Sequence, residues 1–343
     1  MSAPGMVIGT SISGNRTITA SGFRSALDRD IPLKMQSDTS FDLASLTKIV
    51  ATTSSLMVLV AENEIGIDDR VSKFLPAWNT GEKGEISIRH VLQHRSGLME
   101  WRPLYISASD VEGIHSLIAT SPLRYTVDKQ RAYSDLGFIT LGSVISAVTK
   151  VGFVESVNKL TLNRLPLTAT KFATPVNVNN VAATSRGDRF EYQMVQKKIP
   201  YPVSENVDDF KAWRSQIISG EVNDGNAFHV FDGAASHAGL FSNANDLLQF
   251  GESLLELTEF GDFCQDGIDA DFHLGFRSWV DTFGNCSARF YGHTGFTGVI
   301  LAASPMHNAV FVGLSNRLHT DGEITPTEEI FSPHLQELHS QLH

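Results

Sequence analysis

The sequence predicts a mixed α/β (α+β) fold in which one sheet is assembled from both chain ends and a mostly helical stretch is inserted between them. Three observations lead there. Strand-like runs cluster at the two termini, helical patterns fill the middle, and an almost wholly apolar helix follows the first strands. MVIGTSI and TITASGF flank SGNR, a turn-forming tetrad, and read as a β-hairpin. Leu43 to Glu64 reads as a long helix, apolar but dotted with Ser and Thr, and Gly66 lies just beyond it as a stop. A helix apolar on all sides belongs at the centre of a fold. From Ser87 to about Ala270 the segments IRHVLQHR, VEGIHSLIAT, FITLGSVISAVTK, FVESVNKLTLNRL and NANDLLQFGESLLELTEF look helical. Strand patterns return in HLGFRSWV, RFYGHTG, GVILAAS and NAVFVGLSN, and the helix-like tail PTEEIFSPHLQELHSQL closes the chain. The expected organisation is a single unit over 1–343. Residues 1–66 plus 271–343 form its α/β part and 67–270 its mainly helical part.

Composition narrows the function classes. The chain has 343 residues, enough to bury a substantial core, with 42% hydrophobic and 19% charged residues. It carries 27 Lys plus Arg against 38 Asp plus Glu, a net charge of −11 that repels phosphate backbones and anionic lipid, so nucleic acid and membrane partners are not expected. Two cysteines, Cys264 and Cys286, make no zinc framework, and the one disulfide they could form is not a secretory signature. Ile49 to Val60 is short for a membrane span and carries Thr52, Thr53, Ser54 and Ser55. MSAPGMVIGTSISGNRT shows no basic leader followed by an apolar run, so the expected compartment is the cytoplasm.

The chemistry resides in a few spaced residues. Gly-x-Ser-x-Gly, the nucleophile elbow, does not occur. Ser-x-x-Lys occurs twice, at Ser45/Lys48 and Ser156/Lys159. On a helix that spacing stacks hydroxyl and amine on one face, about one turn apart. Ser156 lies in an amphipathic pattern and reads as a surface helix residue. Ser45 is followed downstream by Tyr-x-Asp at Tyr133 and Asp135 and by His-Thr-Gly at His293, Thr294 and Gly295. Serine, lysine, tyrosine and a Thr-Gly strand in that order resemble the serine β-lactamase and penicillin-recognising superfamily. VLQHRSGL and NDGNAFHVFDGAASHAGLFSNANDLLQF are similar to segments of its class C β-lactamase-related branch, which includes esterases and D-aminopeptidase-like proteins. The resemblance runs from about Thr39 to Arg317.

The resemblance implies a β-lactamase/transpeptidase-like fold with an antiparallel sheet. It also implies a serine hydrolase acting through an acyl-enzyme on a small-molecule ester, amide or D-amino-acid-containing substrate, with no cofactor and no metal. The alternatives are an acyltransferase with the same nucleophile and a non-catalytic binder of peptidoglycan-like or acylated ligands. Ser45 would be the nucleophile, near the N–H groups and positive dipole end of a helix. Lys48, with a solution pKa of about 10.4, must be shifted down by burial or a nearby positive charge to accept a proton, and Tyr133 faces the same problem. Either could take the proton of Ser45. The oxyanion hole would be the backbone N–H groups of Ser45 and Phe296. Asp135, His293, Thr294 and Gly295 would contact substrate, glycine being needed because a side chain there would crowd a ligand along the strand edge.

Two positions depart from the commoner pattern. Asp135 replaces an asparagine, so an ionised acceptor stands where a donor-acceptor is usual. His293 replaces a lysine, so a ring largely neutral at pH 7 stands where a permanent cation is usual. Other residues carry two readings. His90 and His94 have zinc-like i, i+4 spacing but no third ligand, which favours packing or capping, with His94, Ser96 and Gly97 shaping a loop. Asp224, Asn226 and His237 either reach the cleft or brace loops. Trp101, Trp213 and Phe296 are candidates for an acyl pocket. Loss of the lysine at position 293 predicts better turnover of simple esters or amides than of β-lactams. Turnover of p-nitrophenyl acetate beside a chromogenic cephalosporin checks this, and fast cephalosporin hydrolysis without esterase activity would refute it.

Overall fold

The computed structural model describes residues 3–172, 179–267, 269–283 and 286–342. Ten strands are present among them: β1 (Gly5–Ile12), β2 (Asn15–Ser25), β3 (Leu33–Lys34), β4 (Phe41–Asp42), β5 (Lys171–Phe172), β6 (Leu240–Ser242), β7 (Arg277–Phe283), β8 (Cys286–Gly295), β9 (Val299–Ser304) and β10 (Ala309–Ser315). Five helices matter for the site: α1 (Ala44–Ala61), α2 (Asp135–Thr149), α3 (Gly225–Val230), α4 (Ala244–Leu255) and α5 (Thr327–Ser340).

Seven strands make an antiparallel sheet in the order β3-β2-β1-β10-β9-β8-β7. The two chain ends do meet: β1 pairs with β10, Met6 opposite Ser315 and Ile12 opposite Ala309. The β1–β2 hairpin turns through Ser13 and Gly14, both at positive φ as a two-residue hairpin loop requires. Every residue of β9 and β10 is buried, which explains their unbroken apolar letters. Period-two alternation sends Val299, Leu301 and Ala303 to one face and Ile300 and Ala302 to the other. The first face packs on α4 and the main core; the second packs on α5 through Ile330, Phe331, Leu335 and Leu338. The strand expected from His273 begins only at Arg277, because the N–H groups of His273 and Leu274 go to the Phe276 and Phe263 carbonyls.

Helix α1 is apolar and long enough to cross a membrane by composition, yet it is largely buried within the core. Two of its threonines have partners: Thr52 Oγ1 donates to the Ser236 carbonyl at 2.6 Å, and Thr47 Oγ1 accepts from the Leu240 N–H at 3.1 Å. A second small sheet, β4-β6-β5, ties the residues just before α1 to the 240–242 segment. Cys264 is a buried free thiol, whereas the side chain of Cys286 lies outside the described part of the structure.

Helix α4 approaches the sheet closely at Gly251, where a Cβ would lie 2.5 Å from Val310 Cγ1. Gly251→Val should therefore lower stability by about 1–3 kcal/mol. The check is the urea midpoint; an unchanged value would mean that the helix can back away from β10.

Candidate active site

Ser45 occupies the first turn of α1. That helix opens as a 3₁₀ turn over Ala44–Leu46, widens to π geometry over Lys48–Thr53, and becomes α-helical from Ser54. Such π segments recur at functional sites because they shift the facing of the side chains around them. The turn is entered through Ala44 in the left-handed region, φ 43°. Asp42 holds it there: Oδ1 accepts the Ala44 N–H at 2.8 Å and Oδ2 accepts the Asn223 N–H at 2.6 Å. Burial pushes the Asp42 carboxyl up to about 6 against the opposing pull of these two donors. Sequence reasoning missed Asp42, although an acid three residues before the candidate nucleophile was a readable signal.

The Lys48 side chain is completely buried. Its Nζ donates to Ser45 Oγ at 2.9 Å and to the His237 carbonyl at 3.2 Å, and lies 2.7 Å from Asp135 Oδ1. The last contact is charge against charge, without the alignment of a hydrogen bond. Burial alone lowers the ammonium's pKa, but the Asp135 carboxylate and, after it, Tyr133 together more than offset this, so Lys48 is held above its ordinary value. This reverses the expected downward shift. The largest upward pull comes from the substituted residue: a neutral asparagine at position 135 would carry no such charge.

Tyr133 joins the pair. Lys48 Nζ lies 5.1 Å from the centre of its ring, and its buried hydroxyl faces Ser45 and Lys48 with no aligned hydrogen bond among the described residues. Burial pushes the phenol's pKa up, with Lys48 opposing. The phenol is placed by its neighbour, Ser134, which caps α2: its Oγ accepts the Gly137 N–H at 3.2 Å and donates to the Met99 carbonyl at 2.6 Å. The Ser134 N–H donates to His94 Nδ1 at 2.9 Å, and the His94 ring lies against Tyr133 with centroids 4.4 Å apart. His94 is thus a support for the phenol, a role its place in the HRSGL loop only hinted at. His90 closes a capping box with Ser87, so the two histidines serve separate local tasks.

The β8 end completes the site. His293 is buried, its Nδ1 donates to the Thr294 carbonyl at 2.6 Å, and its Nε2 has no partner among the described residues. Burial, then the charge on Lys48, lowers its pKa to about 3. A Cβ at Gly295 would lie 2.5 Å from the Leu43 carbonyl oxygen. The glycine is therefore explained by the approach of β8 to the nucleophile's own segment rather than by room for a ligand. Thr297 Oγ1 donates to the Asp42 carbonyl at 2.7 Å, and Arg317 grips the Phe296 carbonyl through Nε at 2.9 Å and Nη2 at 2.7 Å. The N–H groups of Ser45 and Phe296 donate to no group among the described residues.

Two cavities meet at Ser45 and Tyr133. One, about 320 Å³, is lined by Trp101, Asp135, Phe190, Glu191, Asp224, His237 and Phe296 among others. The second, about 470 Å³, runs along His293 to Phe296 and holds Arg131, Arg277 and Arg317. Arg277 Nη1 donates to Thr294 Oγ1 at 2.9 Å and to Glu328 at 3.0 Å. Several candidates fall outside. Trp213 packs among Tyr105, Tyr192 and Phe210 and bonds the Val207 carbonyl, because the aromatic cluster beneath the cavity absorbs it. Asn226 is a brace, accepting from the Leu104 N–H and donating to the Arg102 carbonyl. Ser156 faces inward, bonding Thr149 and the Gly152 carbonyl, while Lys159 is exposed.

The family model described as Beta-lactamase matches residues 1–331. A protein of Escherichia coli (strain K12) named "Putative D-alanyl-D-alanine carboxypeptidase" is 29% identical, the match covering 84% of this chain and 71% of that protein. The N-acetylmuramyl-L-alanine amidase of Bacillus subtilis (strain 168) is 30% identical over 84% of this chain and 70% of its own. Among solved structures, a class C beta-lactamase from Rhodobacter sphaeroides superposes with a TM-score of 0.70 at 16% identity, covering 99% of this chain and 95% of that one. At that identity the likeness speaks to the fold alone.

The neutral state of His293 is directly measurable. Its ring resonances should stay unchanged between about pH 8 and about pH 5, where an exposed histidine titrates. A midpoint near 6.5 in the histidine NMR spectrum would contradict this assignment.

Proposed function

The chain belongs to the beta-lactamase family, and from that premise we propose that this serine hydrolase of ester or amide substrates cleaves bonds whose departing half carries a carboxylate. The observation that carries this reading is Arg277, held against Thr294 in a cavity that opens directly onto Ser45. Since His293 is neutral, it supplies no cation for an anionic substrate; the guanidinium beside it does, and its planar fork suits a carboxylate. The name of the Escherichia coli relative, a carboxypeptidase, supports the same class.

In this reading Ser45 Oγ attacks the carbonyl carbon. Lys48 is an ammonium at rest, so it must release a proton before taking one, and Asp135 at 2.7 Å is its nearest acceptor. The Ser45 proton then passes to Lys48 along the 2.9 Å contact. The developing oxyanion is met by the N–H groups of Ser45 and Phe296, the second held in place by Arg317. Collapse breaks the scissile bond, and the leaving amine or alkoxide takes its proton from the Tyr133–Lys48 side. The carboxylate-bearing half leaves along the arginine-lined cavity, and water resolves the acyl-enzyme by the reverse proton traffic. The less open of the two cavities, beside Trp101 and Phe190, suits the acyl half, which stays on Ser45 through both steps.

The test has two arms. A fluorophosphonate should add one equivalent of mass to the protein and none to Ser45→Ala. For peptides ending in D-alanyl-D-alanine, Arg277→Ala should raise KM about tenfold to hundredfold, while the C-terminal amides of the same peptides are little affected. No adduct with any acylating probe, or equal effects on acid and amide, would overturn the reading.

A further inference from the structure

Resting on the carboxylate role of Arg277, we infer that Glu328 is an internal competitor for that guanidinium. The carboxylate of the substrate's departing half displaces it on binding, and it takes its place again as that half leaves. The start of α5 borders the second cavity, where Pro326, Thr327 and Glu328 stand beside Arg277 and Thr294. Arg277 Nη1 donates both to Thr294 Oγ1 at 2.9 Å and to Glu328 Oε1 at 3.0 Å. Arg277 Nη2 and Nε, and Glu328 Oε2, have no hydrogen-bond partner among the described residues. A side-chain carboxylate seated on this guanidinium shows that the geometry accepts one, and it engages a single nitrogen of a planar fork. Arg131 is held by both oxygens of Asp271, and Arg317 by the Phe296 and Thr325 carbonyls. Arg277 is thus the arginine of this cavity with two of its three nitrogens uncommitted.

Two roles for Glu328 predict opposite signs. A residue that held Arg277 in place would aid substrate binding, whereas a competitor opposes it. The surroundings favour competition. Arg277 opens β7, pairs with Gly292 of β8, and is gripped by Thr294 of that same strand, so its place does not depend on α5. Glu328 stands in the first turn of a 14-residue helix, where the helix dipole favours a carboxylate whether or not a guanidinium faces it. The Arg277 and Glu328 side chains are 33% and 46% open. A pair that wet is worth only about twofold to fivefold in an equilibrium, so an incoming carboxylate can exchange for it. Exchange also serves the second half-reaction. While the departing amine stays beside the acyl-enzyme it can attack the ester carbonyl, re-form the amide bond and return the proton to Ser45 Oγ. Glu328 settling back onto Arg277 shortens that stay.

The experiment measures peptides ending in D-alanyl-D-alanine and their C-terminal amides, as substrates or, against p-nitrophenyl acetate, as competitive inhibitors. Glu328→Gln keeps the length of the side chain and an accepting oxygen but removes the charge. It should lower KM or Ki for the acids by about twofold to fivefold, a gain that the amides do not share, whatever happens to kcat. A merely structural role would not tighten binding. On an Arg277→Ala background the same substitution should bring no gain, because nothing is left to compete for. An unchanged or higher constant for the acids, an equal change for acids and amides, or a gain that survives Arg277→Ala overturns the competitor role. If Arg277→Ala alone still separates acids from amides, the carboxylate reading stands without it. An Arg277→Ala protein that treats acids and amides alike, or acids that neither react nor inhibit, overturns both.

Discussion

A fully buried ammonium organises this molecule. Removing the Lys48 charge from water costs several kcal/mol unless acceptors replace the lost hydration. The acceptors come from three separate stretches of chain: Ser45 on its own helix, the His237 carbonyl in the loop before β6, and Asp135 at the start of α2. No one of them suffices. The requirement to surround one cation thus gathers the nucleophile, the phenol carrier and the cavity wall at one point, and the same contacts that satisfy the charge also define the chemistry.

Around that point the supports are indirect. Asp42 connects the nucleophile's turn to Asn223 and, through its carbonyl, to Thr297. His94 backs the Tyr133 ring, and Arg317 fixes the peptide of Phe296. None of these three side chains needs to touch a reacting atom; each sets the position of a group that does. Displacements well under the length of a bond matter at such a centre, so these residues govern rate through geometry.

The sheet, the central helix and the Ser45, Lys48, Tyr133 cluster were legible in the letters, because period-two and all-apolar patterns report burial directly and the ordered motifs survive distance in sequence. What escaped was everything decided by a partner. The upward shift of Lys48 could not be seen from Lys48, since its cause sits 87 positions away at Asp135. The reason for glycine at 295 lay in the Leu43 carbonyl rather than in a ligand. Trp213 and Phe296 look alike as letters, yet one is absorbed by an aromatic cluster and the other opens to the cleft. Polar segments behaved the same way: Asp224 and Asn226 are two residues apart, one lining the cavity and one bracing a loop.

The side-by-side pairing of β1 with β10 has a bearing on biosynthesis. A ribosome releases the amino-terminal hairpin and the Ser45 helix long before the strand that must lie between β1 and β9 exists. Pairings between segments this far apart in sequence carry a loop-closure cost that local pairings such as β1–β2 do not. Ser45 is therefore synthesised well before Phe296, whose N–H completes the pair of donors beside it, so the site is assembled from an early and a late part of the polypeptide.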